Sequence, residues 1–116
     1  MNNLNKLVLE GITLKSGEVI YNDCEIDPNL SFEEQEWSFK EDILQIKFDT
    51  AESAYTVDVG WIPEFNKNGK FVVQVIKNYE WEKPISSKKV KTFAALKKCL
   101  QEAIDIADES INGKIH

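Results

Sequence analysis

The sequence contains no arginine, and its single histidine is the last residue, His116. Because we expect this terminal side chain to be frayed and solvated, the sequence predicts neither a catalytic serine or cysteine paired with histidine nor a metal site built on imidazole. The five glycines are scattered along the chain and form no phosphate-binding loop. The sequence therefore predicts a protein that is not an enzyme and has no catalytic residue, no cofactor and no metal site.

Cysteine and long apolar runs are equally scarce. The two cysteines, Cys24 and Cys99, are too few for a disulfide framework, and they are expected to be reduced thiols because the start of the chain shows no secretory signal. No stretch approaches the roughly 20 apolar residues that a membrane span needs. We therefore expect a cytoplasmic protein that does not contact a membrane.

Charge is abundant and is segregated along the chain. Residues 23–64, the acidic segment, carry twelve carboxylates and two lysines, whereas residues 67–98, the basic segment, carry nine lysines and two glutamates. A surface dominated by one sign attracts a partner of the other sign and accelerates its docking. This pattern, within a formal net charge of −6, favours a small acidic protein whose function is to bind.

The length of 116 residues predicts a single domain, residues 1–116. A second domain would leave neither part with a workable core. The hydrophobic fraction of 42% and the charged fraction of 29% are ordinary, which argues against disorder.

Two β-rich runs near the start predict a hairpin. Residues 7–14 and 18–21 flank Lys15-Ser-Gly17, a short loop whose glycine accepts a positive φ. Residues 31–39 are ambiguous: Ser31 and Glu34 have the spacing of a capping box, which favours a helical turn, but the order of aromatic and acidic side chains also fits a strand. We favour a strand from about residue 34 onward.

Three later runs alternate with the period of a strand: residues 43–49, 54–62 and 71–79. Pro63 ends the second run, and Asn66-Lys-Asn-Gly69 supplies a hairpin turn. In the third run, apolar residues on both faces indicate a central strand that is covered on both sides.

The last third of the chain predicts one long helix. Residues 82–89 are a polar connector with no periodicity, Thr92 has the character of an N-cap, and apolar residues then recur at helical spacing as far as Ile111, with Gly113 as the stop. A helix of about 18 residues spans roughly 27 Å, enough to cross a four-stranded sheet. The predicted fold class is α+β: an antiparallel β-meander sheet with one long C-terminal helix packed across one face.

The basic segment leaves a second function open. Its lysines, together with Tyr79 and Trp81 as stacking rings, could contact nucleic acid in an antitoxin-like or adaptor module. The absence of arginine and the negative net charge argue against it. Lysines at a sheet edge also serve a structural purpose, since they block association between sheets.

Four segments of the chain resemble small immunity proteins of bacterial polymorphic-toxin and contact-dependent growth-inhibition systems. They are Trp37-Ser-Phe-Lys-Glu-Asp-Ile-Leu-Gln-Ile-Lys-Phe-Asp-Thr50, Tyr55-Thr-Val-Asp-Val-Gly-Trp-Ile-Pro-Glu64, Gly69-Lys-Phe-Val-Val-Gln-Val-Ile76 and Trp81-Glu-Lys-Pro84. In that family a tryptophan often precedes a strand, and a hairpin and a closing helix follow. The likeness covers roughly residues 37–107 and implies a protein that binds and neutralises a cognate toxin, often a nuclease.

The charge pattern agrees with that implication. A nuclease presents cationic groups to phosphate, so an inhibitor that covers its active site benefits from carboxylates that mimic phosphate. We therefore expect a basic toxin domain as the partner, bound through the acidic segment. The expected contact residues are five carboxylates and one apolar anchor: Glu33, Glu34, Glu36, Asp58, Glu64 and Trp61.

Overall fold

The computed structural model describes residues 4–113. Five strands form one antiparallel sheet whose spatial order follows the chain: β1 (Glu18–Asn22), β2 (Leu44–Asp49), β3 (Ala54–Ile62), β4 (Lys70–Lys77) and β5 (Ser86–Val90). One helix, α1 (Phe93–Ile111), packs across one face of the sheet. The predicted α+β fold, a meander closed by a C-terminal helix, is confirmed. Among residues 4–113, no helix is both long and apolar enough to cross a membrane.

The hydrophobic core lies between α1 and the sheet. The predicted alternation is confirmed in β2, where Leu44, Ile46 and Phe48 are fully buried, and α1 contributes Leu96, Leu100 and Ile104 to the same core. Each such side chain stabilises the fold by roughly 1.5–3 kcal/mol when it is withdrawn from water. The second face is partly covered as well, since Val72 and Ile76 of β4 are also buried.

Both ends of α1 are defined as the sequence predicts. The Thr92 hydroxyl accepts a hydrogen bond from the Ala95 backbone N–H at 3.1 Å, which satisfies one of the free donors of the first turn. Gly113 follows the helix with φ +71°, the left-handed conformation that commonly ends a helix.

The predicted first hairpin is wrong. Leu4–Leu9 form a 3-10 helix, and β1 pairs with β2 instead of with residues 7–14. The Gln101 side chain of α1 accepts a hydrogen bond from the Thr13 N–H at 2.9 Å and donates one to the Thr13 carbonyl at 3.0 Å. The Gln101 side chain therefore bonds both backbone polar groups of Thr13, a residue that the hydrophobic pattern assigns to a strand.

The predicted strand from residue 34 is also wrong, whereas the capping box is confirmed. The Ser31 N–H donates to Glu34 Oε1 at 3.0 Å, and the Glu34 N–H donates to Ser31 Oγ at 3.2 Å; a 3-10 turn follows at Glu36–Ser38. The ring centroids of Phe32 and Phe39 are 4.7 Å apart, a separation that an extended chain rising about 3.3 Å per residue excludes.

The polar connector contains a strand that its sequence does not reveal. β5 reads Ser-Ser-Lys-Lys-Val and forms the edge of the sheet, paired with β4 through Ser87 and Gln74 among others. Because an edge strand can be held by backbone pairing with few buried side chains, hydrophobic periodicity does not detect it.

The chain leading into β2 passes unusually close to β3. The Trp61 N–H donates to the Lys40 carbonyl at 2.8 Å and the Ile43 N–H donates to the Val59 carbonyl at 2.9 Å, so hydrogen bonds lie on both sides of Gly60. A Cβ atom on Gly60 would overlap the Glu41 carbonyl oxygen. Glycine is therefore required at position 60 by the close approach of a second backbone.

Replacing Gly60 by alanine should lower the free energy of unfolding by at least about 2 kcal/mol, because a backbone atom cannot yield as a flexible side chain can. The matched control is Gly113→Ala, whose Cβ would meet nothing within 4 Å and which should cost only the left-handed conformation, about 1 kcal/mol. Urea unfolding of both variants measures the difference. Equal stability losses for the two variants would contradict the role assigned to Gly60.

Candidate protein-binding site

Most carboxylates of the acidic segment are not neutralised by the lysines of the chain. Within residues 4–113, four of the twelve form ion pairs with lysine: Asp23 and Glu25 with Lys40, Asp49 with Lys47, and Glu33 with Lys67. The other eight form none: Asp27, Glu34, Glu36, Glu41, Asp42, Glu52, Asp58 and Glu64. Both lysines of the acidic segment are engaged with the first group.

The contact between Glu41 and Gly60 gathers four of the unpaired carboxylates. The Glu41 N–H donates to Glu64 Oε2 at 3.2 Å, which brings the two acidic residues together. Asp58 is two residues before Gly60 on β3, and its carboxyl experiences the charges of Asp42 and Glu41. We call Glu41, Asp42, Asp58 and Glu64 the carboxylate cluster.

Asp58 is a half-buried carboxylate on the sheet face opposite α1. It pairs in register with Gln45 of β2 and Gln74 of β4, and Gln45 Nε2 donates to Asp58 Oδ1 at 3.0 Å. Burial raises the pKa of Asp58 above its ordinary value of 3.8, the Gln45 hydrogen bond lowers it, and the charges of Asp42 and Glu41 raise it further. No lysine among the described residues forms an ion pair with it.

Trp61 is not available as the expected anchor. Its ring is 2% exposed, and it packs at 4.6 Å from the ring of Phe39 and at 4.9 Å from that of Phe71, measured between centroids. Its indole N–H donates to the Asn66 carbonyl at 2.7 Å. The expectation of an accessible Trp61 is wrong, because the ring fills the end of the core where Phe32 and Phe39 fold over the sheet.

The exposed aromatic side chains in this region are Trp37 and Phe65. Trp37 is 71% exposed and Phe65 is 37% exposed, and their rings meet edge to face with centroids 5.2 Å apart. The Phe65 N–H donates to the Phe39 carbonyl at 2.7 Å, which ties the loop after β3 to the 3-10 turn that carries Trp37. Phe65 directly follows Glu64, so one member of the aromatic pair is joined through the backbone to one member of the carboxylate cluster.

The expected contact residues divide into two groups. Glu64 accepts a hydrogen bond from the Glu41 N–H, Asp58 is close enough to Asp42 and Glu41 for their charges to raise its pKa, and Glu36 directly precedes Trp37 on the 3-10 turn. Glu33 and Glu34 are exposed but engaged, Glu33 in an ion pair with Lys67 at 3.3 Å and Glu34 in the capping box. The acidic composition around residue 37 is the signal that could have identified Trp37, whereas no pattern in the sequence marks Phe65.

The lysines of the basic segment do not all lie on one face of the sheet. In β5, Lys88 lies on the α1 side of the sheet, 3.7 Å from Glu102, and Lys89 lies on the opposite face. Lys91 Nζ donates to the carbonyls of Lys67 and Gly69 at 2.8 Å each and lies 5.2 Å from the centroid of the Trp61 ring. Nucleic-acid binding stays a prediction, and this division of the lysines between two faces does not favour it.

The possible metal ligands and the two thiols of residues 4–113 can be located in the structure. No three His, Cys, Asp or Glu side chains of residues 4–113 converge as ligands for a metal ion. Cys24 and Cys99 are buried free thiols, and burial raises the pKa of Cys24. A buried thiol with a raised pKa is a poor nucleophile.

Comparison of the chain with protein-family models, with curated proteins and with solved structures finds no significant match in any of the three.

Replacing Asp58 by asparagine should stabilise the protein at neutral pH. Because the folded-state pKa of Asp58 is raised, the wild type loses stability as the pH rises from the ordinary aspartate value through the folded-state pKa, and the loss persists above it. Asparagine keeps an acceptor for Gln45 and carries no charge, so the free energy of unfolding should rise by about 0.5–2 kcal/mol. Urea unfolding at neutral and acidic pH measures it, and the gain should disappear at low pH.

Asp49→Asn is the matched control, since Asp49 is exposed and lies 3.5 Å from Lys47. Its removal should leave stability unchanged or lower it by less than about 1 kcal/mol. A stabilising Asp49→Asn, or a destabilising Asp58→Asn at neutral pH, would contradict the assignment of an unfavourable charge to Asp58.

Proposed function

We propose that this protein is a non-enzymatic immunity protein, which binds a cognate bacterial toxin in the cytoplasm and covers its active site with an acidic surface. The observation that carries the proposal is the state of the acidic segment, in which eight of twelve carboxylates have no lysine counterpart within residues 4–113. Carboxylates that no lysine of the described chain neutralises are available to a cationic partner.

The partner that this charge fits is a basic protein domain, and a nuclease is the first candidate. A nuclease binds phosphate with lysine and arginine side chains, and carboxylates on an inhibitor pair with the same groups. The principal extents of the molecule, 43 × 29 × 20 Å, accommodate a standard interface of roughly 800 Å² on one partner. The resemblance of residues 37–107 to immunity proteins supports the same class.

The direct test uses the protein encoded immediately upstream. We expect it to be toxic when expressed alone, to be harmless when co-expressed with this protein, and to bind it with an association rate that falls as salt rises. The proposal would be contradicted if the upstream protein is not toxic, or if co-expression with this protein does not prevent its toxicity.

A charge-matched pair of triple variants tests where the partner is attracted. Glu41→Gln, Asp42→Asn and Glu64→Gln together should slow association roughly tenfold or more at low salt. Glu52→Gln, Glu80→Gln and Glu82→Gln change the net charge equally, at exposed positions in the turn after β2 and the loop after β4, and should slow it less. Equal effects of the two sets on the measured association rate would argue against a contact at the carboxylate cluster.

A further inference from the structure

The contact between Trp37 and Phe65 lies at the surface, where Trp37 is 71% exposed and Phe65 is 37% exposed. A Trp–Phe pair at 5.2 Å normally contributes to a core, yet Trp37 remains 71% exposed and belongs to no part of the hydrophobic core. Tryptophan is also the residue type most enriched where truncation weakens protein complexes. The pair therefore presents apolar surface that the fold itself does not use.

The backbone holds Phe65 in place at a cost. Its φ of +59° lies in the left-handed region, which costs a residue with a side chain roughly 1–2 kcal/mol. Hydrogen bonds on either side, from the Phe65 N–H to the Phe39 carbonyl at 2.7 Å and from the Asn66 N–H to the Pro63 carbonyl at 3.3 Å, fix this conformation. The backbone that carries the ring is thus held in place, so that less conformational entropy remains to be lost on binding.

The carboxylates next to Trp37 and Phe65 in the chain indicate a cationic partner. Glu36 precedes Trp37 and Glu64 precedes Phe65, and neither forms an ion pair with a lysine of the described chain. The nearest basic neighbour in sequence, Lys67, is engaged with Glu33. An apolar centre with an uncompensated acidic rim is complementary to a lysine or arginine side chain, whose methylene stem packs on rings while its charge reaches carboxylates.

Asp58 adds an independent indication. Asp58 is half-buried, and burial together with the charges of Asp42 and Glu41 raises its pKa, so a cation of a partner would favour its charged form. The charged form of Asp58 is therefore unfavourable in the isolated protein, and a partner would supply the counter-ion that residues 4–113 do not. Binding and stability should respond to the loss of this charge in opposite directions.

We infer that Trp37 and Phe65 form the apolar centre of a docking surface that receives a lysine- or arginine-rich segment of a partner protein, with the carboxylate cluster binding its charges. This inference rests on the proposed function for the identity of the partner. The surface itself depends only on the exposed pair and the charges beside it.

The first experiment needs no biological partner. The indole N–H signals of Trp37 and Trp81 are assigned with Trp37→Phe and Trp81→Phe, and an oligolysine peptide is titrated against the labelled protein, with oligoglutamate as the peptide control. Trp81 is the matched aromatic, 46% exposed in the loop between β4 and β5. A shift of the Trp37 signal alone, lost in Asp58→Asn, supports the docking surface; an unmoved Trp37 signal, or an equal shift of Trp81, overturns it.

The second experiment uses the protein encoded upstream and measures affinity by calorimetry. Trp37→Ala and Phe65→Gly should each weaken binding about 30-fold or more, while Trp81→Ala changes it by less than about threefold. Glycine at position 65 removes the ring and also the left-handed penalty, and Trp37 is mostly exposed, so each variant should lose no more than about 1.5 kcal/mol of stability, the value of the aromatic contact. Asp58→Asn should weaken binding while raising the melting temperature, a combination that a purely structural role does not produce.

The outcomes separate the two proposals. If the upstream protein binds but Trp37→Ala and Phe65→Gly leave its affinity unchanged, the docking surface is overturned and the immunity function stands. If the upstream protein does not bind and oligolysine still shifts only Trp37, the immunity function fails and the docking surface is supported.

Discussion

The close contact between the Glu41 backbone and Gly60 is the constraint on which the rest of this structure depends. Because Gly60 has no side chain, the chain entering β2 stays hydrogen-bonded to β3 through Lys40 and Ile43. That contact carries Glu41 and Asp42 to Asp58, and it brings the preceding turn against the loop after β3. Glu41, Asp42, Asp58 and Glu64 lie around this contact, and the hydrogen bond from the Phe65 N–H to the Phe39 carbonyl joins the segments that carry the aromatic pair.

The same region contains features that oppose folding. Asp58 holds a charge in a half-buried position, and Phe65 holds a left-handed backbone. Folded domains are stable by only about 5–15 kcal/mol, so such costs must be offset by the core between α1 and the sheet.

In the folded protein the acidic and basic segments are only partly separated, and the antiparallel meander explains why. Sequence neighbours remain spatial neighbours in a sheet of order β1 to β5, so the acidic and basic segments occupy different strands. Alternation along a strand then divides consecutive residues between two faces, as Lys88 and Lys89 show. Most carboxylates of the acidic segment lie in turns and loops, so they are not divided between the two faces of the sheet.

Local patterns in the sequence determined β2, β3, β4 and α1, because burying one face imposes a period that the residues display and because Thr92 and Gly113 mark the helix ends. They failed for residues 7–14, for residues 34–39 and for β5. The bonds of Gln101 to Thr13, the packing of Phe32 on Phe39 and the pairing of β5 with β4 are tertiary contacts that local patterns do not show. The excess of carboxylates in residues 23–64 was evident from the sequence, whereas the exposure of Trp37 and the burial of Trp61 were not. Burial depends on which side chains meet in three dimensions, and no residue carries that information alone.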